Sequence, residues 1–144
     1  MESKTHHLTQ LFLRVAIAAT FLSAVADRFG IWGAPGQPSV VWGNWENFRI
    51  YSNLVNSFVP EAIGNILAIV ATGFEIIFSV LLLIGYKTRI AAISAGLLLL
   101  CFALAMTISF GIKAALDYSV WVDVTACFLL ASIPSHAYSM DRKR

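Results

Sequence analysis

Four long apolar runs constrain this chain more than any other feature of its sequence. Each is a continuous stretch of roughly 17–24 residues, the length that lets an α-helix cross about 30 Å of hydrocarbon. In a bilayer only helices and closed barrels satisfy every backbone polar group, and the runs lack the alternation of barrel strands. They predict an all-α protein, a bundle of four transmembrane helices at about residues 8–27, 61–84, 89–111 and 117–133.

Composition agrees with a membrane location. Of the 144 residues, 58% are hydrophobic and 12% are charged, against about 45–50% and about 25% in soluble domains. A chain of this length is expected to form one domain, residues 1–144. The net charge of +2 is small and the basic residues are dispersed or gathered at the C-terminal tail, which argues against a nucleic-acid partner.

The connection between the first two runs predicts an additional helix. The aromatic residues Trp42 and Trp45 follow a turn rich in glycine and proline, and apolar residues then recur at helical spacing until Pro60. Because Trp and Tyr favour the membrane interface, we expect an amphipathic helix over residues 45–59 that lies at the interface in the first, extracytoplasmic loop. A structured loop packed on the bundle is the alternative.

Basic residues near the ends of the runs predict the orientation. With four spans both termini share one side of the membrane, and the positive-inside rule places the more basic side in the cytoplasm. The more basic side holds Lys4, Arg14, Lys87, Arg89, Arg142, Lys143 and Arg144, and the other side holds Arg28, Arg49 and Lys113.

Two ionisable residues inside the runs are the first candidate site. An ionisable side chain in a span costs about 2.5–3.5 kcal/mol on insertion scales, so each one suggests a function. Glu75 lies roughly 16 Å from the inner end of its helix and Arg14 about 9 Å from the same side, at about 1.5 Å of rise per residue. We expect Arg14 and Glu75 to meet, either as a structural salt bridge between the first two helices or as a proton-accepting or ligand-binding site.

A second group of polar and aromatic residues is predicted toward the outer face. Asp123 lies roughly 9 Å inside the fourth helix, and Arg28 is the partner that we expect for it. Together with the tryptophans this group would form the mouth of a pocket for an amphipathic ligand, a quinone or a lipid headgroup; the alternative for the tryptophans is an interfacial belt. The group comprises Asp27, Arg28, Trp32, Trp42, Trp45, Asp117, Trp121 and Asp123.

Several cofactor classes lack their ligands in this sequence. Haem would need axial ligands such as His within the spans, whereas His6, His7 and His136 lie near the predicted cytoplasmic ends. Quinone-linked disulfide-forming bundles need a Cys-x-x-Cys motif, and Cys101 and Cys127 do not form one. We therefore predict no metal and no evident cofactor, with a quinone or lipid as the candidate ligand.

Three segments resemble the DoxX-like family of small four-helix membrane proteins. The first, residues 75–92, contains a Glu, a leucine-rich half-helix, a Gly, an Arg and a pair of alanines; the others are residues 102–120 and the exit of the first helix, residues 23–30. The resemblance covers most of the chain outside residues 35–59.

The resemblance implies a four-helix membrane subunit or companion of a redox system. The namesake of the family is a subunit of a thiosulfate:quinone oxidoreductase, and other members are associated with thiol or oxidative-stress systems. Arg14 and Glu75 match the family's helix-one Arg and helix-two Glu, whereas the His that many members carry on the third helix is missing here. The expected location is the bacterial inner membrane, with both termini in the cytoplasm.

The sequence is compatible with three functions. We prefer a non-catalytic membrane subunit that holds a quinone or lipid for a redox partner protein. The alternatives are a stand-alone quinone-linked oxidoreductase and a small-molecule or proton carrier that uses Glu75 and Asp123, with a homo-oligomer forming the pore.

Overall fold

The computed structural model describes residues 4–143 as a chain of helices. The helices are α1 (Lys4–Arg28), α2 (Trp45–Val55), α3 (Glu61–Ile84), α4 (Thr88–Phe110), α5 (Ile112–Asp117) and α6 (Val120–Ser132), followed by a 3₁₀ turn at Met140–Lys143. No strand occurs among these residues, so the all-α prediction is confirmed. The basic side chains of residues 142–144, which contributed to the predicted orientation, lie outside the described part.

Three of the helices, α1, α3 and α4, are long and apolar enough to cross a membrane. The bounds of α3 are those predicted, and α4 is shifted by one residue at each end. Helix α1 begins at Lys4 instead of residue 8 and ends at Arg28. Helix α6 has only 13 residues, about 20 Å at 1.5 Å per residue, so it is too short to cross about 30 Å of hydrocarbon by itself.

The predicted fourth helix, residues 117–133, is interrupted near its start. Gly111 ends α4 with φ +87°, and Ser119, in the left-handed region with φ +57°, separates α5 from α6. At the other end Ile133 is extended, because the ring of Pro134 disfavours the helical conformation of the residue before it. Helix α6 therefore runs from Val120 to Ser132.

Helix α2 begins where the sequence predicts and ends earlier. The side-chain oxygen of Asn44 accepts the N–H of Asn47 at 2.8 Å, which is an N-cap. The helix ends at Val55 instead of residue 59, because Asn56 leaves the helical region. Its buried face, which includes Phe48, packs against α1, α3 and α4.

Small side chains bring α4 close to α6. Ala91, Ala92, Ala95 and Gly96 are all buried, and a methyl group on Gly96 would lie 3.0 Å from the ring of Phe128 in α6. Ala92 with Gly96 and Ala91 with Ala95 recur at four-residue spacing, which lets membrane helices approach closely. Helix α1 packs chiefly on α3, so α1 with α3 and α4 with α6 form the two tight pairs of the bundle.

The two ends of the bundle differ, and we name them by what covers them. The loop end carries the α1–α3 connection, residues 29–60, which includes α2. At the tail end the first half of α1, the α3–α4 turn and residues 136–141 come together. There the side chain of Gln10 donates to the carbonyl of Ala137 at 2.8 Å. The C-terminal tail therefore returns to the level at which α1 begins.

Asp141 fastens the tail to the start of α4. Its carboxylate accepts the backbone N–H groups of Lys87 and Thr88, each at 2.7 Å, and so satisfies amides that a helix N-terminus leaves unpaired. Partial burial acts to raise the pKa of Asp141, but the hydrogen bonds from Thr88 and Lys87 outweigh it and hold the pKa below its ordinary value.

Candidate functional site

A buried ion pair between Arg28 and Glu75 lies at the centre of the candidate site. The exposed fractions are 4% for Arg28 and 2% for Glu75. One guanidinium nitrogen lies 3.0 Å from Oε1 of Glu75, and the other contacts Oε2 of Glu75 and Thr72 Oγ1, the latter at 2.7 Å. Arg28 thus binds the carboxylate in bidentate fashion, the geometry that makes Arg–carboxylate pairs strong and directional.

The predicted contact between Arg14 and Glu75 is wrong. Arg14 is fully buried and lies level with the last turn of α3, about two helical turns beyond Glu75. The last carbonyl groups of a helix have no intrahelical donors. The Arg14 guanidinium donates to two such carbonyls at the end of α3 and to two carbonyls of the C-terminal tail. Its acceptors are the carbonyl oxygens of Leu82 at 2.9 Å, Leu83 at 3.2 Å, Ala137 at 3.1 Å and Tyr138 at 3.4 Å. Whether either residue has a function beyond these contacts stays a prediction.

Aromatic rings from the loop cover the Arg28 guanidinium. Its central carbon lies 3.9 Å from the ring centroid of Phe48 and 5.5 Å from that of Trp42. The two rings meet edge to face, with centroids 5.1 Å apart. A cation over an aromatic face is stabilised by the ring quadrupole, more strongly where water is excluded. The aromatic cover therefore stabilises the charge of Arg28, which is only 4% exposed.

Asp27 positions this cover by binding the backbone of the loop. Its carboxylate accepts the N–H groups of Val41 at 2.8 Å, Trp42 at 3.2 Å and Gly43 at 2.8 Å. Gly43 has φ +69°, and a side chain there would lie 2.5 Å from the backbone nitrogen of Pro35, so only glycine allows this turn. Asp27 thereby holds Trp42 beside Arg28, the residue that follows Asp27 in the chain.

A cavity of about 780 Å³ lies next to the ion pair and opens to the surface. Its size is within the about 300–1,000 Å³ of small-molecule sites. Helices α1 to α4, the loop and the start of α6 contribute to its walls, with Arg28 and Glu75 among mostly apolar and aromatic residues. Two buried donors on lining residues have no partner in the part of the chain that the structure describes, Arg28 Nε and Trp42 Nε1.

Only some of the residues predicted to form the outer pocket lie together in the structure. Asp27, Arg28, Trp32 and Trp42 line the cavity. The other members do not line it: Trp45 stacks on Phe29, Asp117 pairs with Lys113 at the surface, Trp121 packs against the helix core, and Asp123 is half-buried on α6. The predicted pair of Asp123 with Arg28 is wrong, because Arg28 binds Glu75.

Sequence reasoning missed two contributors to the site, Phe48 and Thr72. Thr72 precedes Glu75 by three residues on α3, so both lie on one helix face, and this spacing was the available signal. Phe48 was recognised only as part of an apolar helical stripe. Nothing in its spacing indicates that its ring covers a cation.

Three apolar helices of membrane-spanning length, with an ion pair enclosed among them, define a multi-pass membrane protein. The family model described as DoxX matches residues 9–110, more than two thirds of the chain. The protein belongs to the DoxX family. The matched region contains α1 from Thr9 onward and all of α2 to α4, and therefore Arg14, Arg28 and Glu75, whereas α5, α6 and the tail follow it. No curated protein and no solved structure matches the chain.

Proposed function

We propose that this protein is a four-span membrane subunit of a quinone-linked redox system and that its cavity binds the quinone headgroup. The observation that carries the proposal is the pair of unpartnered donors, Arg28 Nε and Trp42 Nε1, on residues that line a large apolar cavity. A buried polar group without a partner costs about 1–3 kcal/mol. A ligand that supplies acceptors would recover this cost.

The chemistry of the two donors favours a quinone. A quinone ring offers carbonyl oxygens, which only accept hydrogen bonds, and an otherwise apolar face. Tyr51, half-buried in the same wall, remains a neutral hydroxyl donor, because burial raises its pKa.

The path through the membrane supports four spans. Helix α6 is short, but residues 136–141 continue to the tail end, where Ala137 binds Gln10 and Asp141 binds the start of α4. Helix and tail together therefore cover the same depth as α1. The tail end carries Lys4, Lys87 and Arg89, and the loop end carries Arg28, Arg49 and Lys113. The sequence adds three basic residues, 142–144, after the tail, so the positive-inside rule favours a cytoplasmic tail end.

The location of α2 follows from the same orientation. We place it at the outer interface of the bacterial inner membrane, above the cavity. Arg49 on its polar face pairs with Glu46 and with Glu61 at the start of α3, and Ile50 and Leu54 are exposed. The ion pair with Glu61 fixes one side of α2 to α3 while the exposed apolar side chains face the headgroup region, where amphipathic helices reside.

A carrier path through Glu75 and Asp123 has less support. Asp123 does not line the cavity that contains Glu75, and Glu75 is neutralised by Arg28 within hydrogen-bond distance. In the proposed role a partner oxidoreductase supplies or removes electrons, and this chain binds and orients the quinone.

Quinone binding is tested with the protein in lipid vesicles and a water-soluble, tail-less benzoquinone. Vesicles are sedimented and bound quinone is measured by absorbance, with protein-free vesicles as the blank. Trp42→Phe keeps a ring and removes one donor, so we expect about three- to tenfold weaker binding, the effect of one hydrogen bond. Trp121→Phe is the matched control, because Trp121 Nε1 is also buried with no partner among the described residues, but Trp121 does not line the cavity.

Binding no greater than that of protein-free vesicles would refute the quinone site. Equal loss in the Trp42 and Trp121 variants would show that the indole donor at the cavity is not used. The role as a subunit predicts co-purification with an oxidoreductase from mild detergent. Recovery of the protein alone with quinone-dependent turnover would contradict that role and favour a stand-alone enzyme.

A further inference from the structure

We infer that the cavity contains a second subsite, a groove between α3 and α4 that binds the apolar tail of the ligand. The ligand is then a lipid quinone with a long hydrocarbon tail, and its headgroup lies at Arg28. This inference rests on the proposed function and adds to it the class of quinone and the path of its tail.

The groove is formed by two facing stripes of uncharged side chains. On α3 the stripe contains Leu67, Val70 and Phe74, and on α4 it contains Leu98, Cys101 and Phe102, all of which line the cavity. Members of each stripe recur three or four residues apart, which places them on one face of their helix.

The exposure of these side chains supports an opening of the cavity between α3 and α4. Leu67 is 40% exposed and Phe74 44% exposed, although both line the cavity. At the inner wall Ala105 and Met106 are only 7% and 6% exposed. A continuous apolar surface thus runs from beside the ion pair to the outside of the bundle, where hydrocarbon chains of the bilayer would lie.

The packing of α4 explains why a groove exists here. Gly96 and its small neighbours bring α4 against α6, and the short connection after Gly85 joins α3 to α4 at the tail end. The α3 and α4 residues that line the cavity lie from the middle of each helix toward the loop end.

Another part of the cavity wall is less suited to a hydrocarbon tail. There the lining includes Thr20, Ser23 and Tyr118, and the indole N–H of Trp32 donates to the carbonyl of Ser23 at 3.0 Å. A hydrocarbon chain here would lie against hydroxyl-bearing side chains, whereas the side chains of the α3–α4 groove carry no hydroxyl group.

The groove is tested by comparing a tail-less benzoquinone with its decyl derivative in the same vesicles, at matched concentrations in the membrane. Leu67→Trp fills the groove and Ile66→Trp adds the same ring at an adjacent residue that does not line the cavity and is 60% exposed. We expect Leu67→Trp to weaken decyl-quinone binding about tenfold, the scale of steric overpacking, and tail-less binding by less than about twofold. Ile66→Trp should change neither.

The outcomes separate this inference from the proposed function. If the unaltered protein binds neither quinone, the headgroup site itself fails. If it binds both and Leu67→Trp affects both equally or neither, the headgroup site stands and the tail groove is refuted.

A second measurement does not depend on how well Leu67→Trp folds. A quinone with a photoreactive diazirine in its tail, bound to the unaltered protein, should label peptides that contain the α3 and α4 stripes. Labelling mainly at Thr20, Ser23 or Tyr118 would overturn the inference, because the tail would then lie along another part of the wall.

Discussion

Replacing Glu75 with leucine would leave the Arg28 guanidinium charged, buried and without its bidentate partner. Thr72 Oγ1 would be its one remaining side-chain acceptor among the described residues. Removal of one partner from a buried ion pair costs about 3–5 kcal/mol, whereas removal of both by apolar residues is often nearly neutral. At 4% and 2% exposure solvent screening does not reduce this cost. We therefore expect Glu75→Leu to lower the free energy of unfolding by about 3–5 kcal/mol and Arg28→Leu/Glu75→Leu to recover most of the loss.

The assay is reversible unfolding in mixed micelles, followed by tryptophan fluorescence, for the unaltered protein, both single variants and the double variant. The cycle gives the coupling energy of the pair, which should be about 2 kcal/mol or more. Additivity within about 0.5 kcal/mol, or single losses below about 1 kcal/mol, would refute the buried pair as described.

A second cycle, between Arg14→Leu and Glu75→Leu, serves as the control. Among the described residues Arg14 binds only backbone carbonyls, and its guanidinium does not reach Glu75. We expect these two losses to add within about 0.5 kcal/mol. Strong coupling in this cycle would restore the pairing that the sequence suggests.

Three further predictions concern the supports of the bundle. Asp27→Asn should raise hydrogen exchange of the loop amides it binds by about tenfold or more, since one of its two acceptor oxygens is lost; unchanged exchange would argue against that anchor. Gly85→Ala should destabilise by about 2 kcal/mol or more, because Gly85 has φ +69° and a methyl group there would lie 2.4 Å from Arg14 Nη2. Gly111 has φ +87° but no atom within 4 Å of an added methyl group, so Gly111→Ala should lose less stability, from backbone strain alone. Equal losses of stability in the two variants would contradict a steric clash at Gly85. Because the pKa of Asp141 is lowered, this carboxylate stabilises the folded protein fully above its ordinary pKa of 3.8. The stabilisation is lost as the pH falls through the pKa of the folded state, so hydrogen exchange at the start of α4 should rise only below about pH 4.

Elements set by local chemistry were predictable from the sequence. The apolar run between Pro60 and Gly85 predicts both bounds of α3, and Gly85 ends the helix because glycine adopts the left-handed cap. The Asn44 cap likewise predicts the start of α2. The break at Ser119 was missed, since a serine with positive φ has no distinctive signal in the sequence.

The partners of the buried charges were harder to predict. Counting rise per residue gives the depth of Cα atoms, but an arginine side chain spans more than one helical turn. Arg28 therefore reaches Glu75 from the end of its helix. Arg14 uses main-chain carbonyls, acceptors that every residue carries and that no sequence pattern marks.

The contacts of Arg14 have a consequence for the order in which the chain matures. Two of its four acceptors, the carbonyls of Ala137 and Tyr138, are more than 120 residues away along the sequence. During synthesis the first helix leaves the ribosome long before they exist. Until the tail is synthesised, the Arg14 guanidinium lacks these two acceptors, so part of the free-energy cost of burying it is not offset. The first membrane segment to be made is thus completed by one of the last, and a ribosome-bound chain that stops before residue 137 should hold its first helix less firmly in the bilayer than one that reaches residue 141.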